Sequence, residues 1–148
     1  MSRRTARRKP PVPAAPHITP DAPCPCGRPA PYGACCGRYH AGTAAAPTCE
    51  ALMRSRYAAF VVRDAGYLLR TWHPATRPPA VEFDPGTRWE RLEILDTTEG
   101  SAFHTTGTVT FRAHWTEGGR PGSMHERSTF VRHEGAWVYE DGEFPDDE

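Results

Sequence analysis

Four cysteines crowd into thirteen residues of this chain, as Cys24-Pro25-Cys26-Gly27 and, after eight residues intervening from Cys26, Cys35-Cys36. Two close thiol pairs joined by a short loop let a small segment close four coordination positions, and thiolate is the favoured ligand of tetrahedral zinc. Disulfides are the weaker alternative, because neighbours such as Cys35 and Cys36 rarely bridge each other and no secretory feature accompanies them. The spacing therefore points to a metal, with zinc ahead of disulfides.

A chain of 148 residues supports one compact domain with an appendage. Lys plus Arg and Asp plus Glu both total 18, so the balanced net charge gives no global attraction to nucleic acid or to an anionic membrane. The ends are polar in opposite senses. Arg3, Arg4, Arg7, Arg8 and Lys9 crowd the start; Asp141, Glu143, Asp146, Asp147 and Glu148 crowd the finish. Pro10, Pro11, Pro13, Pro16, Pro20 and Pro23 keep residues 1–23 from burying an apolar face, which reads as a disordered basic tail, and residues 143–148 read as an acidic one. The start has no apolar central run of a secretory signal, and no segment approaches the ~20 apolar residues of a membrane helix, so a cytoplasmic protein is expected. A basic arm can touch RNA or DNA, but such arms are non-specific, and nucleic-acid binding is not the favoured reading.

After a small-residue linker, Thr48 caps a helix with Glu50 near its positive end, and Met53, Tyr57, Phe60 and Val61 fall on one stripe. Asp64 caps a shorter helix carrying Tyr67, Leu68 and Trp72, which Pro74 stops. Residues 74–88 wind, with a brief strand expected at Val81 to Phe83. From Trp89 the period changes to two: Leu92 and Ile94, then Val109, Phe111, Ala113 and Trp115, alternate with polar residues. Gly118 to Gly122 is expected to turn, Met124 to Arg132 to return antiparallel, Glu134-Gly135 to turn again, and Trp137 to Tyr139 to close a meander. Helices followed by an antiparallel meander make an α+β domain.

The cysteine pattern with Gly27 and Gly37 resembles the SEC-C zinc motif of the preprotein translocase motor and other bacterial proteins. Leu52-Met53-Arg54-Ser55-Arg56-Tyr57, Thr71-Trp72-His73-Pro74, Gly107-Thr108-Val109-Thr110-Phe111, His125-Glu126-Arg127-Ser128 and Trp137 to Gly142 resemble the YchJ-like bacterial family, in that family's order. The resemblance implies a zinc knuckle over residues 24–41, with Cys24, Cys26, Cys35 and Cys36 as ligands of one structural Zn2+. It implies a nuclear-transport-factor-2-like (cystatin-like) domain over 48–142, two helices packed on a curved antiparallel sheet around a cavity. A homodimer through the open face of that sheet is compatible with it. Arg28-Pro29 departs from the usual Ser-Gly of the motif but leaves every thiol in place. With four thiolates present, His40 is expected outside the ligand set, and Cys49 to be a small packed side chain, a reactive thiol being the minority reading.

Fold cannot assign the activity. Proton-transfer candidates for a cavity enzyme are Glu126 and His73, with His114 and Asp141 behind them and Arg54, Arg56 and Tyr57 as polarising groups. Glu126 shares strand parity with Met124, Ser128 and Phe130, a half-buried face, so a cationic partner is expected, Arg54 or Arg56. A buried ion pair is the favoured reading over catalysis. Trp72, Trp89, Trp115, Trp137, Phe111 and Phe130 belong to the core, and each can also line a pocket for a flat ligand. The preferred reading is a zinc-binding protein that takes a protein or small-molecule ligand; the alternatives are a small-molecule enzyme of isomerase, cyclase or hydrolase type, and an RNA- or ribosome-associated protein.

Overall fold

The computed structural model describes residues 18–145. The arginine-rich start and the last acidic residues, 1–17 and 146–148, lie outside the described residues. Residues 18–23, assigned to the basic tail from sequence, are part of the knuckle: Tyr32 N–H donates to Ala22 O at 2.8 Å and Gly33 N–H to Pro20 O at 2.9 Å. A 3₁₀ turn at Tyr32–Ala34 leads into α1 (Cys36–Ala41). Two helices follow, α2 (Cys49–Val62) and α3 (Ala65–Arg70). Thr48 Oγ1 accepts from Ala51 N–H and Asp64 Oδ1 from Tyr67 N–H, so both expected caps hold a first turn.

The strands β1 (Thr87–Glu99), β2 (Thr106–Glu117), β3 (Arg120–His133) and β4 (Ala136–Glu143) form one antiparallel sheet in sequence order. Val109 opposes Ser128, Phe111 opposes Glu126 and Ala113 opposes Met124, which puts these six side chains on the helix-covered face. Register shifts in β1 after Trp89 and Ile94 bend the sheet around the helices. In β4, Tyr139 opposes Phe130 while Asp141 opposes Thr129, so Glu140 is an extra residue. That bulge keeps both Tyr139 and Gly142 on the inward face.

Two sequence expectations are corrected. Val81 to Phe83 is not a strand; both residues lay their side chains against the core, Phe83 edge-on to Phe60 at 6.0 Å, while the surrounding prolines remove ladder donors. The turn expected at Gly118 to Gly122 is just Gly118-Gly119, both at positive φ, because Glu117 already pairs with Arg120. Pro121 sits within β3 where that strand's far edge has no partner, since β4 pairs only from Arg127 onward.

The core joins Leu52, Met53, Tyr57 and Leu68 of the helices to Val109, Phe111, Phe130 and Trp137 of the sheet. Helix α2 is buried on more than its apolar stripe: Ser55 and Ala58 are 0 % exposed and Arg56 is 5 % exposed. The reason is that the cysteine knuckle covers the side of α2 turned away from the sheet, where Ala58 packs directly into the thiol cluster.

Candidate functional site

The Sγ atoms of Cys24, Cys26, Cys35 and Cys36 all lie within 4.8 Å of one another, and all four residues are buried. None is in a disulfide. The Cys26 and Cys35 sulfurs are 3.7 Å apart, whereas a tetrahedron with metal–sulfur bonds of about 2.3 Å has edges of about 3.8 Å. The ionisation of the set also fits a cation. Hydrogen bonding to Cys26 pushes the Cys24 thiol up to about 11, the Cys24 thiol holds Cys26 down at about 2, and Cys24 again drives Cys36 upward. Hydrogen bonding thus lowers Cys26 at the expense of Cys24 and Cys36; four thiolates together require a positive ion at their centre. Closed by four protein sulfurs, such an ion would shape the knuckle and have no place for a substrate.

The knuckle is fastened to the helices by named bonds. Arg54 Nη1 donates to Cys26 O at 2.7 Å while its Nε donates to Glu50 at 2.9 Å, and Arg28, from the motif's divergent position, reaches the same Glu50 oxygen at 3.5 Å. Arg70 Nη2 donates to His40 O at 2.8 Å. His40 lies outside the sulfur cluster, as expected, and is a strut. Its Nε2 bonds Ser55 O at 2.9 Å and its Nδ1 bonds Tyr32 OH at 2.6 Å. A carbonyl can only accept, so Nε2 carries a proton, and in the neutral ring Nδ1 then accepts from the tyrosine. Burial lowers its pKa in the same sense.

On the opposite side of α2, between that helix and the sheet, is a cavity of about 320 Å³. Tyr57, Phe60, Trp72, Trp89 and Phe111 supply aromatic wall, and Met53 and Met124 flexible apolar wall. Its polar end holds Arg56, Glu126, Ser128 and Tyr139. Ser128 Oγ donates to Glu126 Oε2 at 2.9 Å and Tyr139 OH donates to the same oxygen at 3.3 Å. Burial pushes the Tyr139 phenol up to about 12, so it stays a donor. Burial lowers Arg56 to about 10, leaving it cationic at neutral pH. Arg56 donates to Leu68 O at 2.9 Å and Thr71 Oγ1 at 2.7 Å and lies beside the touching rings of Trp72 and Tyr139, 5.0 and 4.8 Å from their centroids. A larger hollow of about 560 Å³ near Phe60 and Trp89 is edged by Arg63, Arg88, Glu82 and Asp84 and contains none of these groups.

The family model described as the middle NTF2-like domain of YchJ matches residues 48–142. The chain belongs to the YchJ-like family. A UPF0225 protein of Streptomyces coelicolor is 69% identical over 127 residues, covering 86% of this chain and 99% of its own. A UPF0225 protein of Streptomyces avermitilis is 66% identical over 123 residues, covering 83% and 85%. The solution structure of a SEC-C motif containing protein from Rhodopseudomonas palustris superposes with a TM-score of 0.73 at 36% identity, covering 84% of this chain and all of its own. The crystal structure of a SEC-C motif containing protein from Psychrobacter arcticus gives 0.66 at 28% identity, with 84% of each chain covered. The YchJ-like fold is thus an NTF2-like α+β domain with a cysteine cluster on its helical side.

Within this YchJ-like chain, Glu126, Arg56 and Tyr57 meet in the cavity, and Arg54 does not: it belongs to the knuckle contact. The ion pair expected at Glu126 is not made among the described residues: Arg56 is the cation of the cavity wall and Glu126 acts on it through space, but its hydrogen bonds go to Leu68 and Thr71. His73 is outside the cavity wall. Its Nδ1 accepts from Ala75 N–H at 3.0 Å and its ring packs on His133 at 5.2 Å. His114 bonds Glu93 at 2.6 Å away from the cavity. Cys49 is 2 % exposed, fitted beside Gly100 and Gly107, and burial raises its thiol to about 12, the packed state expected of it. Sequence reasoning missed the part played by Tyr139, Ser128 and Gly142. Gly142 could have been found only by allowing for the Glu140 bulge, while the parity of Tyr139 with Trp137 and of Ser128 with Glu126 was legible.

Proposed function

We propose that this protein is a ligand-binding module whose cavity wall is braced by a structural zinc knuckle. The observation that carries the reading is the position of α2, which presents Arg54 and Ala58 to the cysteine knuckle on one side and Met53, Arg56, Tyr57 and Phe60 to the cavity on the other. Cys24, Cys26, Cys35 and Cys36 would hold one Zn2+, which supplies charge to keep four thiolates together and a fixed tetrahedral cross-link. Arg54, Arg28 and His40 transmit that order to α2. The buried, unbridged thiols suit a reducing, cytoplasmic setting, and no helix among the described residues is long and apolar enough to cross a membrane.

A second reading, an enzyme acting in the same cavity, is favoured by one observation. Glu126 is a carboxylate in an aromatic enclosure with two hydroxyl donors on one oxygen, an arrangement that can hold and move a proton. The nucleic-acid reading drew on the arginine-rich start, which lies outside the described residues.

Native mass spectrometry of the protein drawn gently from its own cells tests the proposal. One zinc per chain and a retained small molecule are expected; a fully folded, metal-free protein with no ligand would overturn it. Turnover of the retained molecule, abolished by Glu126→Gln without loss of fold, would establish the enzyme reading in its place.

A further inference from the structure

The polar end of the cavity is built rather than incidental. A Cβ at Gly142 would come within 2.0 Å of Glu126 Oε2 and 2.9 Å of the Tyr139 hydroxyl oxygen, so the missing side chain makes the space in which the carboxylate and its phenol donor meet. Both protein donors fall on Oε2. A carboxylate offers about four lone-pair sites and is acceptor-only when ionised, so Glu126 has further accepting capacity to offer a guest. Trp72, a residue with a complementary group, lines the same cavity. Trp72 Nε1 is buried and has no hydrogen-bond partner among the described residues, and a buried indole N–H normally finds an acceptor.

Charge narrows the guest further. Arg56 and Glu126 are the charged groups of the cavity wall, one of each sign. A cationic guest would be repelled by Arg56 and an anionic one by Glu126, while a neutral guest leaves the balance undisturbed. The remaining walls are ring faces and methionines, and about 320 Å³ has room for roughly two or three fused six-membered rings.

We infer that the cavity takes a neutral, flat ring compound carrying a hydroxyl or ring N–H, which donates to Glu126 while an acceptor atom on the same polar edge receives the Trp72 indole N–H. This rests on the ligand-cavity reading above and specifies the class of ligand.

Four naphthalenes with one ring system and different heads test it on the full-length, metal-loaded protein by calorimetry: 2-naphthol, 2-methoxynaphthalene, 2-naphthoate and 2-naphthylmethylammonium. The expected result is binding of 2-naphthol at least roughly tenfold tighter than each of the others, with a shift of the Trp72 indole N–H resonance. Glu126→Gln should remove most of that preference while the methoxy compound's affinity stays unchanged. Because the head-group series is read on the unaltered protein, it stands even where the variant is poorly folded. Tightest binding of the ammonium or the carboxylate compound, or equal binding of naphthol and its methyl ether, would overturn the inference and leave a ligand cavity of another kind. Failure of all four to bind would overturn the inference and remove support from the cavity reading together.

Discussion

Arg54 donates to the carbonyl oxygen of Cys26 at 2.7 Å, joining the middle of α2 to the knuckle's first thiol pair. The same guanidinium pairs with Glu50 one turn earlier, so it is held at both ends. Replacing it, Arg54→Leu, is expected to lower stability by about 1–2 kcal/mol, the range for a charge-assisted hydrogen bond lost with its acceptor left partly buried. Zinc should also pass to a chelator faster than from the wild type. Urea unfolding and the rate of metal transfer to a chromogenic chelator check both; unchanged values would mean that the knuckle is held by its packing alone.

His40 gives the knuckle contact a pH dependence whose sign is fixed. Its folded pKa lies below the ordinary value of 6.5 because burial disfavours the imidazolium. The unfolded chain therefore binds the proton more readily, so the strut's contribution is present in full above about pH 6.5 and is lost as pH falls below it. Cysteine protonation also weakens the knuckle in acid, so the comparison is with His40→Gln. The stability gap between the two proteins should be about 1 kcal/mol at pH 7.5 and shrink toward pH 5. Urea midpoints at both values check it; a gap that grows in acid would reverse the assignment.

Gly142→Ala places a methyl 2.0 Å from Glu126 Oε2. The carboxylate or the strand must move, at a cost of about 1–3 kcal/mol, and the bonds from Ser128 and Tyr139 should break. Thermal melting and a crystal structure of the variant check this. A variant as stable as wild type, with Glu126 unmoved, would contradict the packing described.

Cys49 should be chemically silent. A thiol raised to about 12 by burial is almost wholly protonated at pH 8, so in the metal-loaded protein a thiol reagent should label it only on unfolding. Cys49→Ala should leave the zinc content unchanged. Rapid labelling of Cys49 in the folded state would revive the reactive-thiol reading.

Much of this was legible in the chain because its signals are local. The cysteine spacing foretold the cluster, the Thr48 and Asp64 caps foretold where α2 and α3 begin, and two-residue parity put Glu126 on the inward face beside Ser128 and Phe130. What depends on docking was not. Arg54 and Arg56 are two residues apart on one helix and point to different neighbours, the knuckle and the cavity, a distinction invisible until a third element covers the back of α2. Likewise the Glu140 bulge shifts the parity of β4 beyond Tyr139, so the placement of Gly142 beside Glu126 could not be counted from Trp137. Val81 and Phe83 carried an apolar alternation that tertiary packing used without pairing their backbone.

On the function proposed above, the four thiolates enclose one structural metal. X-ray absorption at the zinc edge of the natively purified protein, with metal content measured on the same sample, tests it most directly. One zinc per chain is expected, with four sulfur neighbours at about 2.3 Å and no lighter ligand. Oxygen or nitrogen in the first shell, or a folded protein whose four cysteines are paired as disulfides without metal, would contradict it.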